Sequence, residues 1–407
     1  MTTSTWAPLP QGSLFGPGAL PYGVFSTGDE GPRIGARLGD HVLDLAPLAA
    51  EDTLELSAHL AEPSLNALMA TGPAAWALLR EWVVDVATSP GRADQGTAHL
   101  HPLENVRLHL PFQVADYVDF YSSQHHATNV GRMFRPDGDA LLPNWKHLPV
   151  GYHGRAGTVV PSGTPVARPC GQRRPRGQDL PDYGPCRQLD IEAEVGFVVG
   201  VPTALGERVA AADVADHVFG VCLVNDWSAR DLQSWEYVPL GPFLGKSFAT
   251  SVSHWVLPLT ALEHARVAAP ARDVAVLDYL TEDPSSPWGL DLDLEVAWNG
   301  STVSRPPFSQ MYWTAAQQLA HMTVNGASLR TGDLYASGTV SGASRDQRGS
   351  FLELSWNGTE PVTLDGGQQR TFLEDGDEVV ISASAPGADG ARISLGEVRG
   401  TIEPARP

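Results

Sequence analysis

Cysteine is scarce, with Cys170, Cys186 and Cys222 the only three in a chain of 407 residues. Thiols so few and so scattered exclude a disulfide framework or a cysteine-rich zinc cluster, and they fit a reducing, cytoplasmic setting. Positive charge is also short: Lys+Arg 27 stand against Asp+Glu 47, a formal net charge of −20. That balance excludes a general electrostatic attraction to nucleic acid or to an anionic membrane surface, both polyanions. No run approaches the roughly 18 apolar residues of a bilayer-spanning helix. The opening stretch Met1-Thr-Thr-Ser-Thr-Trp-Ala-Pro lacks the basic and apolar regions of a secretion signal. A cytoplasmic protein with a small-molecule partner is the expectation.

What is present is ordinary globular material, 42% hydrophobic and 18% charged. At roughly 100–200 residues per domain, two or three domains are expected. Gly 41 and Pro 33 imply many turns, and hence a mainly β fold. Residues 1–48 hold short strand-like pieces, Tyr22-Gly-Val-Phe-Ser and His41-Val-Leu-Asp-Leu. Over 51–88, Leu54, Leu56, Leu60, Leu65, Leu68, Trp76, Leu79 and Val83 recur at helical spacing, and Pro63 and Gly72-Pro73 cut this into two or three helices. Residues 90–98 read as a linker, which places the main boundary near 110 and predicts domains over 1–110 and 111–407. Beyond it, strands are predicted at Ile191–Val199, Val218–Val224, Leu292–Trp298, Phe351–Trp356 and Glu378–Ser382, with helices at 227–237 and 310–323. The segment 161–190, with its run Arg173-Arg-Pro-Arg, reads as a surface loop or hairpin, or else as a substrate-channel or subunit contact.

The strand Asp190-Ile-Glu-Ala-Glu-Val-Gly-Phe-Val-Val-Gly200 puts Glu192 and Glu194 on one face, because side chains alternate along a strand. Adjacent carboxylates repel unless something cationic offsets them; a solvated strand face is the plain alternative. The apolar run Val221-Cys-Leu-Val-Asn-Asp226 ends where a helix is expected to begin, so Asp226 could simply be its N-cap. Asp226, Arg230, Gln233 and Tyr237 are also spaced to share one polar stripe, as a pocket wall would require. Lys246 and Thr250 follow closely, and 116–129 concentrates acids, phenols, hydroxyls and imidazoles. Asp119, Glu192, Glu194 and Asp226 are all oxygen donors, which suits a hard cation, Mg²⁺ or Ca²⁺, rather than zinc.

These residues lie in longer motifs. Asp119-Phe-Tyr-Ser-Ser, His126-Ala-Thr-Asn-Val-Gly, Leu142-Pro-Asn-Trp, Val150-Gly-Tyr-His-Gly-Arg, Asn225-Asp-Trp-Ser-Ala-Arg-Asp, the stretch from Trp235 to Phe248, Gln310-Met-Tyr-Trp-Thr, Ala336-Ser-Gly-Thr and Leu352-Glu-Leu-Ser-Trp together resemble the fumarylacetoacetase (fumarylacetoacetate hydrolase) family. The resemblance runs from about Pro21 to Asp375 and beyond. It implies a small N-terminal SH3-like barrel, a large C-terminal mixed β-roll and a homodimer. It also implies hydrolysis of a carbon–carbon bond in 4-fumarylacetoacetate, giving fumarate and acetoacetate in the last step of tyrosine and phenylalanine breakdown.

Position by position, the resemblance makes Asp119, Glu192, Glu194 and Asp226 calcium ligands, and Asp226, Lys246 and Thr250 magnesium-binding positions. His126 becomes the catalytic base with Glu353 as its carboxylate partner. Tyr121, Arg135, Tyr152, Arg230, Gln233, Tyr237 and Thr339 become substrate contacts. Such chemistry needs a base to deprotonate water and donors for a tetrahedral oxyanion; Arg230, Gln233 and Lys246 are the candidate donors. Lys246 has a second reading, as compensation for the acidic cluster. Other diketo-acid hydrolases, decarboxylases or hydratases of the wider superfamily share the Glu-x-Glu…Asp pattern and stand as the alternative.

Overall fold

Tyr22–Ser26, Arg33–Leu38 and His41–Asp44 pair antiparallel in succession, with Leu100–Pro102 added at one edge and Arg107–Leu108 at the other. The computed structural model describes residues 4–175 and 177–406. Among them this five-stranded sheet is open, because its two edge strands do not pair with each other. Helices Leu45–Glu51, Ser57–Leu60, Asn66–Met69 and Pro73–Thr88 follow the first three strands. Pro73 occupies the first helical position, where a missing N–H costs nothing. Leu79, Val83, Val86 and Ala87 form the buried stripe of the longest helix.

The expected linker at 90–98 is instead a 3₁₀ turn, Pro90–Arg92, and a helix, Ala93–Ala98. Gly96 serves close packing there: a Cβ on it would sit 2.1 Å from the Trp6 ring.

The larger part is built on an eight-stranded mixed sheet. Its order is Gly151–His153, Tyr117–Phe120, Leu334–Ala336, Ala193–Val199, Val218–Asp226, Thr250–Val252 and Val159–Pro161, with Leu257–Pro258 also paired to Val218–Asp226. Ala193–Val199 and Val218–Asp226 are buried throughout, which explains their nearly continuous apolar sequence. One face, including Val195, Phe197, Val221, Leu223 and Tyr335, belongs to the main core. The opposite face, with Val198, Cys222, Val224, Leu334 and Ala336, packs in one cluster with Tyr22, Val24, Leu68 and Leu79 of the N-terminal elements.

A second, five-stranded sheet runs Ser301–Ser304, Asp293–Trp298, Glu378–Pro386, Arg392–Glu403 and Val166–Ala167. Glu378–Pro386 alternates between buried and half-buried residues, as a strand covered on one face should. The mainly β expectation therefore holds, with mixed rather than purely antiparallel sheets.

Several local expectations change. Phe351–Trp356 is not a strand: Phe351–Leu354 is a helical turn, started by Ser350, whose side chain accepts the Glu353 N–H. The apolar alternation there reflects a turn buried on every side. The helix placed at 227–237 begins only at Arg230, and Ser228–Ala229 is a short strand. Asp226 is consequently the last residue of a strand, neither an N-cap nor part of a helical stripe. The helix at 310–323 is confined to Ala315–Thr323, where Thr314 and Gln317 form a capping box. An unanticipated helix, Gln124–Phe134, is capped by Ser123. In 161–190, Cys170–Arg173 and Asp182–Pro185 form a hairpin; Arg176 of the arginine run lies outside the described residues.

Candidate active site

The large sheet gathers acids at adjoining strand ends. Asp119 lies on Tyr117–Phe120, in parallel register with Ala336. Glu194 pairs across to Val224, and Asp226 closes the same neighbouring strand. Asp119, Glu192 and Glu194, all buried, each offer an oxygen within 4.8 Å of the others. Asp226 stands beside this trio. Lys246 links them, its Nζ lying 2.5 Å from Glu192 Oε2 and 2.8 Å from Asp226 Oδ2. Thr250 Oγ1 donates to Asp226 Oδ1 at 2.7 Å and Tyr152 Oη to Oδ2 at 3.1 Å. Arg230 Nη1 approaches Glu192 Oε1 at 2.8 Å.

Charge is unevenly compensated across these groups. Burial works to raise Glu192, but Lys246 and Arg230 outweigh it and hold the carboxyl well below the ordinary range. Asp119 and Glu194 are driven the other way. Burial pushes both well above the ordinary range, and Asp226 acts on the first and Asp119 on the second in the same sense. Both Glu194 oxygens and Asp119 Oδ1 are buried without a hydrogen-bond partner among the described residues. Buried, unpaired carboxylates are costly, and a hard divalent cation between them removes that cost. The donor set therefore fits a metal. Burial opposes the Lys246 charge, yet Asp226 and Glu192 raise its pKa, so it stays an ammonium. An ammonium has no lone pair, so Lys246 enters the site as charge rather than as a ligand.

The imidazole comes from the Gln124–Phe134 helix. His126 Nδ1 is 2.6 Å from Glu353 Oε2, the two side chains being 2% and 0% exposed. Asn129 Nδ2 donates to Glu353 Oε1 at 2.9 Å, and Ser341 and Ser350 hydroxyls donate to Oε2 at 2.8 and 2.9 Å. Burial disfavours the Glu353 charge, but His126 and these donors leave its pKa lowered. Tyr121 packs edge-on against the His126 ring at 5.2 Å. His126 follows Lys246 and Arg230 among the groups that lower Glu192, so imidazole and acids share one electrostatic site.

A cavity of about 140 Å³ opens beside Asp226, Lys246 and Thr250, with Tyr117, Tyr152 and Phe243 also lining it. Arg135 is further out, its guanidinium turned to the Asp139 and Ala140 carbonyls at 3.4 and 2.8 Å. Gln233 Oε1 accepts from Arg230 Nη1 at 3.3 Å. Tyr237 is 47% exposed, while Thr339 is buried with its hydroxyl unpartnered among the described residues. Gly338 lets the Thr339 segment approach: at φ +76°, a Cβ there would meet the Phe120 carbonyl oxygen at 2.2 Å.

Asn129, Ser341 and Ser350, which hold Glu353, are the neighbours of the site that sequence reasoning missed. Asn129 had a usable signal, because it lies three residues after His126 and hence on the same helical face. The serines had none, since their role depends on where a distant turn lands.

The chain matches two families: Fumarylacetoacetase N-terminal over residues 18–111, and Fumarylacetoacetate (FAA) hydrolase C-terminal over residues 116–403. It is 48% identical to the fumarylacetoacetase of Homo sapiens, covering 98% of this chain and 99% of that one. It is 46% identical to that of Bos taurus over the same shares. Among solved structures it is similar to a fumarylacetoacetate hydrolase from psychrophilic Exiguobacterium antarcticum. The TM-score is 0.56 at 18% identity, with 95% of this chain and 100% of that chain covered, a likeness of fold.

Proposed function

The chain belongs to the fumarylacetoacetate hydrolase family, and from that membership we propose that it cleaves fumarylacetoacetate with water to give fumarate and acetoacetate. The reaction closes tyrosine and phenylalanine breakdown. What supports this reading most is a buried His126–Glu353 pair together with a buried carboxylate trio, His126 being among the charges that act on Glu192.

His126 deprotonates water at the ring nitrogen that faces away from Glu353. Glu353 accepts the Nδ1–H, which fixes the tautomer and offsets the imidazolium charge as it forms. The attacked ketone carbon becomes tetrahedral, and its oxyanion needs preorganised donors; Arg230 Nη2, Gln233 and Lys246 are the candidates. The carbon–carbon bond then breaks, its electron pair passing into the departing fragment, and His126 returns the proton to that carbon. A divalent cation, when bound, supplies Lewis-acid charge for the diketone oxygens. Asp119, Glu192 and Glu194 would hold it, with Asp226 beside them; the oxygen-only set is consistent with Mg²⁺ or Ca²⁺. Thr250 tethers Asp226, and Lys246 balances the remaining negative charge. Tyr121, Tyr152, Arg135, Tyr237 and Thr339 would surround the two carboxylate ends of the substrate, Arg135 pairing with one of them.

Family membership also supports a division near 110 into an SH3-like N-terminal unit and a C-terminal β-roll, a cytoplasmic setting and a homodimer. Val238, Leu240, Phe243 and Leu244 are 67, 95, 64 and 50% exposed, an apolar run beside the site that a second copy would cover. No helix among the described residues is long and apolar enough to cross a membrane.

The test is direct. Purified protein with Mg²⁺ or Ca²⁺ is mixed with fumarylacetoacetate, and loss of its near-ultraviolet diketone absorbance is followed. Unchanged absorbance removes the proposal.

A further inference from the structure

Arg230 and the turn Phe351–Leu354 lie far apart in sequence and meet on one carboxylate. Asp190 is 0% exposed. Its Oδ2 accepts the Arg230 Nε–H at 2.8 Å and the Leu352 N–H at 3.1 Å. Its Oδ1 accepts the N–H groups of Phe351 and Ile191 at 2.7 and 2.8 Å. The first N–H groups of a helix have no partner inside it. Asp190 thus supplies, from a distant strand, the acceptors for two such groups in the turn that carries Glu353.

On its other side, Asp190 fixes a direction. Arg230 Nη1 is engaged by Glu192 at 2.8 Å and Gln233 at 3.3 Å. Arg230 Nη2 is buried and has no acceptor among the described residues. A guanidinium is a rigid planar fork, so holding Nε and Nη1 determines where Nη2 points.

We propose that Asp190 is a positioning residue for the reaction, aiming the free Nη2 of Arg230 at the substrate while seating the Glu353 turn against His126. The proposal rests on the His126–Glu353 reading given above. Through one buried side chain, the donor for the substrate and the orientation of the base are set together. Asn at this position has nearly the same volume but presents an NH₂ group toward donors, so part of the fourfold acceptance is lost.

The experiment compares full-length Asp190→Asn, Asp190→Glu, Arg230→Lys, the double variant Asp190→Asn/Arg230→Lys and His126→Ala, all with saturating Mg²⁺. The folded fraction is measured by near-ultraviolet circular dichroism, and kcat and KM are expressed per folded site. Asp190→Asn is expected to fold, to raise KM severalfold and to lower kcat about 100-fold, as a misplacement of about 1 Å does. The double variant is expected to have the KM of Arg230→Lys alone, because Asp190 acts on binding through Arg230. A purely structural carboxylate gives a lower melting temperature with both constants per folded site unchanged, and that result overturns the proposal. So do additive KM effects, and so does failure of both Asp190 variants to fold. Undiminished turnover by His126→Ala would instead remove the reading of the base, a separate result that Asp190 does not enter.

Discussion

His126 Nδ1 and Glu353 Oε2 lie 2.6 Å apart although 227 residues separate them in the chain. One side chain comes from the helix after the strand that bears Asp119, the other from a single helical turn near the end of the catalytic region. Four side chains from three segments converge on the glutamate, so its orientation is held from several directions at once.

The pair makes the first prediction. His126→Ala should lower kcat by about 1000-fold, within the usual range for a general base, while near-ultraviolet circular dichroism stays unchanged. Glu353→Gln, which keeps the shape and loses the charge, should fall in the same direction by a smaller factor. Steady-state rates on fumarylacetoacetate decide it; a His126→Ala protein with full turnover contradicts the mechanism.

Glu194 makes the second. Its oxygens are buried and unpartnered among the described residues, so Glu194→Gln removes no hydrogen bond or ion pair from the metal-free protein. The metal-free melting temperature should stay level or rise. The stabilisation that Mg²⁺ or Ca²⁺ gives the wild type, about 2.7 kcal/mol at a hundred times Kd, should shrink sharply. Thermal melts with and without chelator measure both effects.

Proton linkage makes the third. Asp119 and Glu194 have raised pKa values in the metal-free fold. They therefore hold protons that the unfolded chain has already released, so their contribution to stability is present at low pH and is lost as pH rises above the ordinary carboxylate range. A cation must displace those protons, so apparent metal affinity should increase with pH. Glu353 is lowered, and its contribution has the opposite sign, present above its ordinary 4.5 and lost as pH falls below it. Calorimetric titration in two buffers of different ionisation enthalpy tests the first part; no proton release on binding refutes it.

The exposed apolar run makes the fourth. Leu240→Asp, at a position 95% exposed in the single chain, should convert a dimer to a monomer in sedimentation velocity and leave the monomer folded. Unchanged sedimentation rules this run out as the contact.

Much of this was legible in sequence wherever a local pattern matched a local structure. The alternation Glu192-Ala-Glu194 announced two carboxylates on one face, and the apolar run before Asp226 announced a buried strand. Reading failed where tertiary contacts overrode pattern. Phe351–Leu354 looks like a strand because it is buried all round, yet Ser350 and the remote Asp190 cap it into a turn. Gly96 looks like flexibility and is instead required by the Trp6 ring. The 124–134 helix hid behind polar residues, whose facing partners come from 341–353. Asp190 lay in plain view, but its importance is set by four donors, three of which sit in residues more than 30 positions away.

The late position of Glu353 bears on how the enzyme is made. A ribosome that has produced only the first 350 residues has already supplied Asp119, Glu192, Glu194, Asp226 and the imidazole itself, yet the turn that orients that imidazole does not exist. A prematurely stopped polypeptide can thus own a full set of oxygen donors and still lack a correctly held base. Turnover consequently requires translation past Glu353, and the strands Glu378–Pro386 and Arg392–Glu403, whose Val379, Ile381, Leu395 and Val398 complete the main core, must follow it.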